Sequence, residues 1–271
     1  MAVDVIVLAG FGINCEAETA HAFTRVGGTP HIVHLNDLIA DPNQLESSQI
    51  LAVPGGFSFG DDVASGRILA NRIRYRLAEP LRRFVDAGNL AIGICNGFQV
   101  LVKMGLLPRL SGEMRQEVTL THNDSGRFED RWVNLVRDAD TNCIWLDGID
   151  SLELPIRHGE GRFVTPDSEQ LMQLQAAGCV AMRYAKPDNT AAAGQYPHNP
   201  NGSVDDIAGL CDPTGRIFGL MPHPEAFVDR THHPQWTRQQ LPEEGAGLAL
   251  FRNAVHYADQ HLVRATSPRT P

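Results

Sequence analysis

The pentapeptide Gly93-Ile94-Cys95-Asn96-Gly97 limits the possible folds of this chain more than any other stretch. It follows the apolar run Leu90 to Ile94 and precedes a helical pattern from Asn96 to Met104. A strand that turns straight into a helix needs glycines on both sides of the turn, because a side chain at 93 or 97 would meet the neighbouring backbone. The residue at the apex, Cys95, is then held in a strained conformation with its sulfur projecting from the carboxyl end of the strand. The N-terminus of the following helix favours the thiolate, the form that attacks. The backbone N–H of Asn96 lies beside that sulfur and is placed to hold an oxyanion.

A turn of this kind requires a sheet with buried strands, and the first hundred residues supply one. Val3 to Leu8, His31 to Leu35, Ile50 to Val53 and Leu90 to Ile94 read as strands. Helical stretches at Asn14 to Val26 and Ile68 to Ala87 separate them. Alternation of this kind predicts an α/β fold with a parallel sheet and helices on both faces. Further strands are expected at Glu117 to Thr121, Trp132 to Val136, Leu154 to Arg157, Val180 to Tyr184, Ile207 to Cys211 and Ile217 to Met221. Turn signals such as Asn201-Gly202 separate them, so they should add antiparallel strands to the sheet edge. A helix from Gly247 to His261 closes the pattern. With no Gly/Ser linker and no internal repeat, residues 1–262 are expected to form a single domain, and residues 263–271 a C-terminal tail.

Composition narrows the class. The 271 residues carry a formal charge of −9, which argues against a nucleic-acid backbone or an anionic membrane as main partner. No apolar run reaches membrane-spanning length, and the N-terminus lacks a basic leader. The five cysteines, at 15, 95, 143, 179 and 211, form no Cys-x-x-Cys pair. A reducing cytoplasm and mostly buried thiols are expected.

Three further segments bear on the chemistry of Cys95. Pro54-Gly55-Gly56-Phe57 ends the third strand, where the backbone N–H groups of Gly56 and Phe57 can join Asn96 in an oxyanion hole. Met221-Pro222-His223-Pro224-Glu225 ends another strand. Residues two apart on an extended segment share a side, so Glu225 can fix the ring of His223, the base that a thiol nucleophile needs. Gly10-Phe11-Gly12 also follows a strand, but position 15 is Cys, not the third glycine of a dinucleotide loop. His232-His233 is expected in a solvated loop spanning Asp229 to Gly245. Cys15, Cys143, Cys179 and Cys211 are expected to be buried small hydrophobes. No metal-ligand spacing is apparent.

Gly93-Ile94-Cys95-Asn96-Gly97-Phe98-Gln99 together with Pro222-His223-Pro224-Glu225 resembles the class I, or triad, glutamine amidotransferases. Five other segments narrow the likeness to the glutaminase subunits of phosphoribosylformylglycinamidine synthases. They are Ala9 to Glu16, Pro54 to Asp62, Asn123 to Phe128, His158 to Phe163 and Tyr196 to Ser203. The resemblance runs from Val5 to about Tyr257. It implies a flavodoxin-like sheet with antiparallel additions and a triad of Cys95, His223 and Glu225. Glutamine is the implied substrate, split to glutamate and ammonia. The ammonia is implied to pass to a large synthetase subunit, which uses ATP and magnesium to make formylglycinamidine ribonucleotide in purine biosynthesis. A small bridging subunit is a further implied partner, and no cofactor is expected on this chain itself. Gln99, Phe57 and Arg127 are candidates for holding glutamine, Arg127 through the α-carboxylate. A stand-alone cysteine hydrolase or peptidase on the same scaffold is the alternative reading of the same residues.

Overall fold

The computed structural model describes residues 2–263. Eleven strands and six α-helices make up its regular structure. In chain order they are β1 (Val3–Ala9), α1 (Glu16–Arg25), β2 (Gly28–His34), α2 (Leu35–Ala40), β3 (Ile50–Val53), α3 (Arg67–Asp86) and β4 (Leu90–Ile94). Next come α4 (Asn96–Met104), β5 (Thr119–Thr121), β6 (Glu129–Arg137), β7 (Ser151–His158), β8 (Arg162–Val164) and α5 (Ser168–Ala176). The last are β9 (Val180–Ala185), β10 (Ile207–Cys211), β11 (Ile217–Leu220) and α6 (Leu248–Ala258).

Nine strands form one sheet in the order β2-β1-β3-β4-β11-β10-β9-β6-β7. The five from β2 to β11 are parallel, and the remaining four continue antiparallel. The composition of the strands explains the split. β3, β4 and β11 are buried along their whole length and read as unbroken apolar runs, as strands covered on both faces must. β2 lies at the edge, which is where Pro30, with no N–H to donate, is tolerated.

The crossovers β1-α1-β2 and β3-α3-β4 leave the centre of the sheet in opposite directions, so right-handed connections put α1 and α3 on opposite faces. In agreement, α1 packs with α6, and α3 packs with α4. Phe23 of α1 meets Phe251 of α6 edge-on at 4.9 Å, both fully buried.

Several expectations change. The strand expected over Glu117 to Thr121 shortens to β5 and leaves the main sheet, pairing with β8 in a separate two-stranded ribbon. The two short helices α2 and α5 and strand β8 carry patterns too brief to stand out in the sequence. The polar stretch Asp229 to Gly245 is not wholly solvated. His233 is 2% exposed and packs edge-on against Trp132 at 4.6 Å and near Phe227 at 5.6 Å. Of the tail expected over 263–271, Val263 ends a π-helical turn (Asp259–Val263), and the rest lies outside the described residues. Among the described residues no helix is long and apolar enough to cross a membrane.

Candidate active site

Four adjacent parallel strands, β1, β3, β4 and β11, end at the same edge of the sheet, and each delivers part of one cluster. Cys15 follows β1, Gly55 and Gly56 follow β3, Cys95 follows β4 and His223 follows β11. This is where an open α/β sheet collects its ligands.

Cys95 adopts φ 52°, ψ −107°, a strained conformation for a residue with a side chain. Its surroundings enforce that conformation. The N–H of Cys95 donates to the Leu220 carbonyl at 2.8 Å, which ties the turn to β11. A Cβ on Gly97 would stand 1.8 Å from the Val53 carbonyl oxygen, and one on Gly93 would stand 2.6 Å from the Gly97 oxygen. No side chain fits at either position, so the elbow glycines follow from packing. Cys95 is 5% exposed and its sulfur lies 3.5 Å from the Arg157 carbonyl oxygen.

The Nδ1–H of His223 donates to Glu225 Oε1 at 2.6 Å, with both side chains buried. Burial works against a charged imidazole here, but the carboxylate of Glu225 and the neighbouring thiols outweigh it. The ring is therefore held well above the usual histidine range. Both Cys95 and Cys15 interact with this ring, yet Nε2 is buried without a hydrogen-bond partner. A nucleophile, a base and the group that orients the base are thus assembled, with the free nitrogen of the base available.

Asn14, Cys15, Gly56, Phe57, Cys95, Phe128, Arg157 and His223 line a cavity of about 190 Å³. A larger cavity of about 320 Å³ lies between residues 116–119 and 164–166. It holds no nucleophile–base pair, so chemistry rather than size singles out the smaller one.

The other expected residues divide. Gly56 and Phe57 line the cavity, and the ring of Phe57, 47% exposed, faces Phe128 at a centroid distance of 6.2 Å. The N–H of Phe57, however, donates to the Gly12 carbonyl at 2.8 Å, so this expected oxyanion donor is already engaged. Asn96 is buried, and its side chain braces the oxyanion loop. Its Oδ1 accepts from the Ser58 N–H at 3.2 Å, and its Nδ2 donates to Gln99 Oε1 at 2.9 Å.

Gln99 does not line the cavity. Its Nε2 donates to the Glu160 carbonyl at 2.5 Å and its Oε1 accepts from Asn96, so both polar ends are spent inside the protein. Arg127 is exposed and stands outside the cavity lining, where Phe128 and Arg157 stand instead. The expected carboxylate clamp is therefore not assembled from Arg127, and it is the backbone carbonyl of Arg157 that lies beside the nucleophile.

Two residues were not foreseen. Cys15, expected to be an inert buried thiol, is half-buried beside His223. Its place in the loop that follows the apolar strand β1 is the signal that marks it. His158 is buried, its Nδ1 lies 3.1 Å from Asn123 Oδ1, and burial pushes its pKa down to about 3.

The CobB/CobQ-like glutamine amidotransferase domain matches residues 2–258. A phosphoribosylformylglycinamidine synthase subunit PurQ from Dehalococcoides mccartyi is 46% identical over 260 residues, covering 95% of this chain and 98% of the relative. One from Methanococcus maripaludis is 42% identical, covering 93% and 96%. Among solved structures, PurLQS from Thermotoga maritima contains a chain that superposes with a TM-score of 0.69 at 30% identity, covering 95% of this chain and 99% of that one. A glutamine amidotransferase from the same organism shares the fold, with a TM-score of 0.51 at 14% identity.

Proposed function

The chain belongs to the CobB/CobQ-like glutamine amidotransferases, and from that membership we propose how its cavity works. It serves as the glutaminase subunit of phosphoribosylformylglycinamidine synthase, the role carried by PurQ relatives that it matches end to end. It acts with a large synthetase subunit and a small third subunit, as in PurLQS.

In the reading the geometry supports, Cys95 Sγ attacks the side-chain amide carbon of glutamine. His223 takes the thiol proton and delivers it to the departing nitrogen. Ammonia leaves and a glutamyl thioester remains on Cys95. His223 then takes a proton from water, the hydroxide attacks the thioester carbonyl, and glutamate departs as the thiol re-forms. Glu225 holds the ring of His223 through Nδ1 and offsets its charge in both steps. Backbone N–H groups of Gly56 and Asn96 meet the oxyanion. The ammonia passes to the synthetase, which supplies ATP and magnesium chemistry, and no cofactor of this chain takes part. A cytoplasmic location is the reading that a role in purine biosynthesis supports.

One observation carries the reading. Cys95 at a strained elbow and the His223–Glu225 pair meet in one cavity, in a chain that matches PurQ relatives along nearly their full length. A stand-alone peptidase finds no support in that match. The test is to co-purify the chain with its synthetase and third subunit and follow ammonia transfer from glutamine. Glutamine-supported amidine formation is expected. A chain that cleaves peptides and does not feed the synthetase would refute the proposal.

A further inference from the structure

Cys15 has no task in the hydrolysis described above, yet it stands against the base. One ligand atom from each of Cys15, His223 and Glu225 lies within 4.8 Å of the others. The Cys15 sulfur donates weakly to Asn14 Oδ1 at 3.3 Å and also interacts with the ring of His223. Next to it, the free nitrogen of His223 is buried without a partner, and so is Glu225 Oε2. Both residues are 3% exposed. The Cys95 sulfur opens on the same cavity. A second thiol therefore stands beside a ring whose Nε2 is unsatisfied, and a carboxylate already fixes the other nitrogen of that ring. Metal-binding histidines are held in the same way, with a carboxylate on the nitrogen away from the metal.

We propose that Cys15, His223 and Cys95 form an inhibitory site for zinc, with Glu225 orienting the imidazole from behind. The donor set decides the metal. Two sulfurs and one nitrogen suit a borderline-soft ion in tetrahedral coordination, whereas magnesium requires oxygen ligands. The magnesium that supports the synthetase therefore does not compete. Ligand atoms around one zinc stand about 3.5 Å apart, so the three side chains close around the metal as it binds. The thiol protons leave to solvent as the metal binds. The inhibition follows directly. The metal occupies Nε2, the nitrogen that must accept the Cys95 proton, and it ties up the nucleophile itself.

The inhibitory consequence rests on the glutaminase reading, but the binding does not, and the experiment separates them. The full-length chain is titrated with zinc, and separately with cobalt(II), in the presence of a phosphine reductant. One zinc per chain is expected, with a thiolate-to-cobalt charge-transfer band in the near ultraviolet. Cys15→Ser should weaken zinc binding at least about tenfold and reduce the charge-transfer intensity. Cys15→Ala should do the same, so a folding defect in one variant leaves the other as a check. In the assembled synthetase, each variant normalised to its own zinc-free rate should need at least about tenfold more zinc for half-inhibition of glutamine-supported turnover. Ammonia-supported turnover should not respond to zinc at these levels. No stoichiometric binding, no thiolate band, or equal zinc affinity after loss of Cys15 would overturn the site. Intact binding without inhibition would leave the metal site standing and count against the assigned roles of Cys95 and His223.

Discussion

The N–H of Phe57 donates to the carbonyl of Gly12 at 2.8 Å, so the loop after β3 is clasped to the loop after β1. The clasp continues through the Ile13–Gly56 bridge and the stacked rings of Phe11 and Phe59 at 4.6 Å. In this arrangement one expected oxyanion donor is committed elsewhere. The loss of a single such donor costs about 10²–10³ in rate. The isolated chain is therefore expected to hydrolyse glutamine slowly. Assembly with the synthetase should raise kcat by about that factor as the loop reorganises. Steady-state glutaminase rates with and without the partner subunits check this, and equal rates would show that the clasped loop is already competent.

Glu225 should matter for turnover far more than for binding. Its contact with His223 Nδ1, at 2.6 Å, is buried and fixes which ring nitrogen faces the nucleophile. Glu225→Gln keeps the shape but removes the charge that supports the imidazolium. A fall in kcat of about 10²–10⁴ with KM little changed is expected. A variant in which KM alone rises would make Glu225 a substrate-binding group instead.

His158 sets an acid limit on stability. Its pKa falls from 6.5 to about 3 on folding, because burial excludes the charged ring. The unfolded chain accepts a proton that the folded chain refuses. The contribution is thus fully present above pH 6.5 and is lost progressively as pH falls from 6.5 towards 3. The slope is about 1.4 kcal/mol per pH unit, which amounts to about 2 kcal/mol between pH 6.5 and pH 5. Urea unfolding at pH 7 and pH 5 measures it. His158→Gln should shrink the difference between the two pH values by about 2 kcal/mol, and an unchanged difference would place the acid sensitivity elsewhere.

The residues differ in how far their sequence context revealed them. Cys95 was legible because its turn imposes local demands that show in the sequence: an apolar strand before it, glycines on both sides and a helix after it. His223 and Glu225 were legible for a similar reason, since prolines end β11 and fix their spacing. Four of the five parallel strands were readable as buried apolar runs, the exception being the half-exposed edge strand β2. What was not legible depended on contacts between distant segments. Gln99 points from a helix turn that faces the site, but the Glu160 carbonyl and Asn96 claim its amide. Arg127 sits one residue from a cavity-lining phenylalanine but is itself outside the lining, and what β7 brings to the nucleophile is the carbonyl of Arg157. Cys15 joins the site only because β1 and β11 end at the same edge. Chain order places them more than two hundred residues apart, and only the sheet order brings them together.

The central claim is that Cys95 makes ammonia for another subunit, and replacing it with alanine in the assembled synthetase tests this most directly. Glutamine-supported amidine formation should fall by about 10⁴-fold or more, while formation supported by added ammonium stays near the wild-type rate. Glutamine-supported synthesis that persists in Cys95→Ala, or an equal loss with ammonium, would contradict the account.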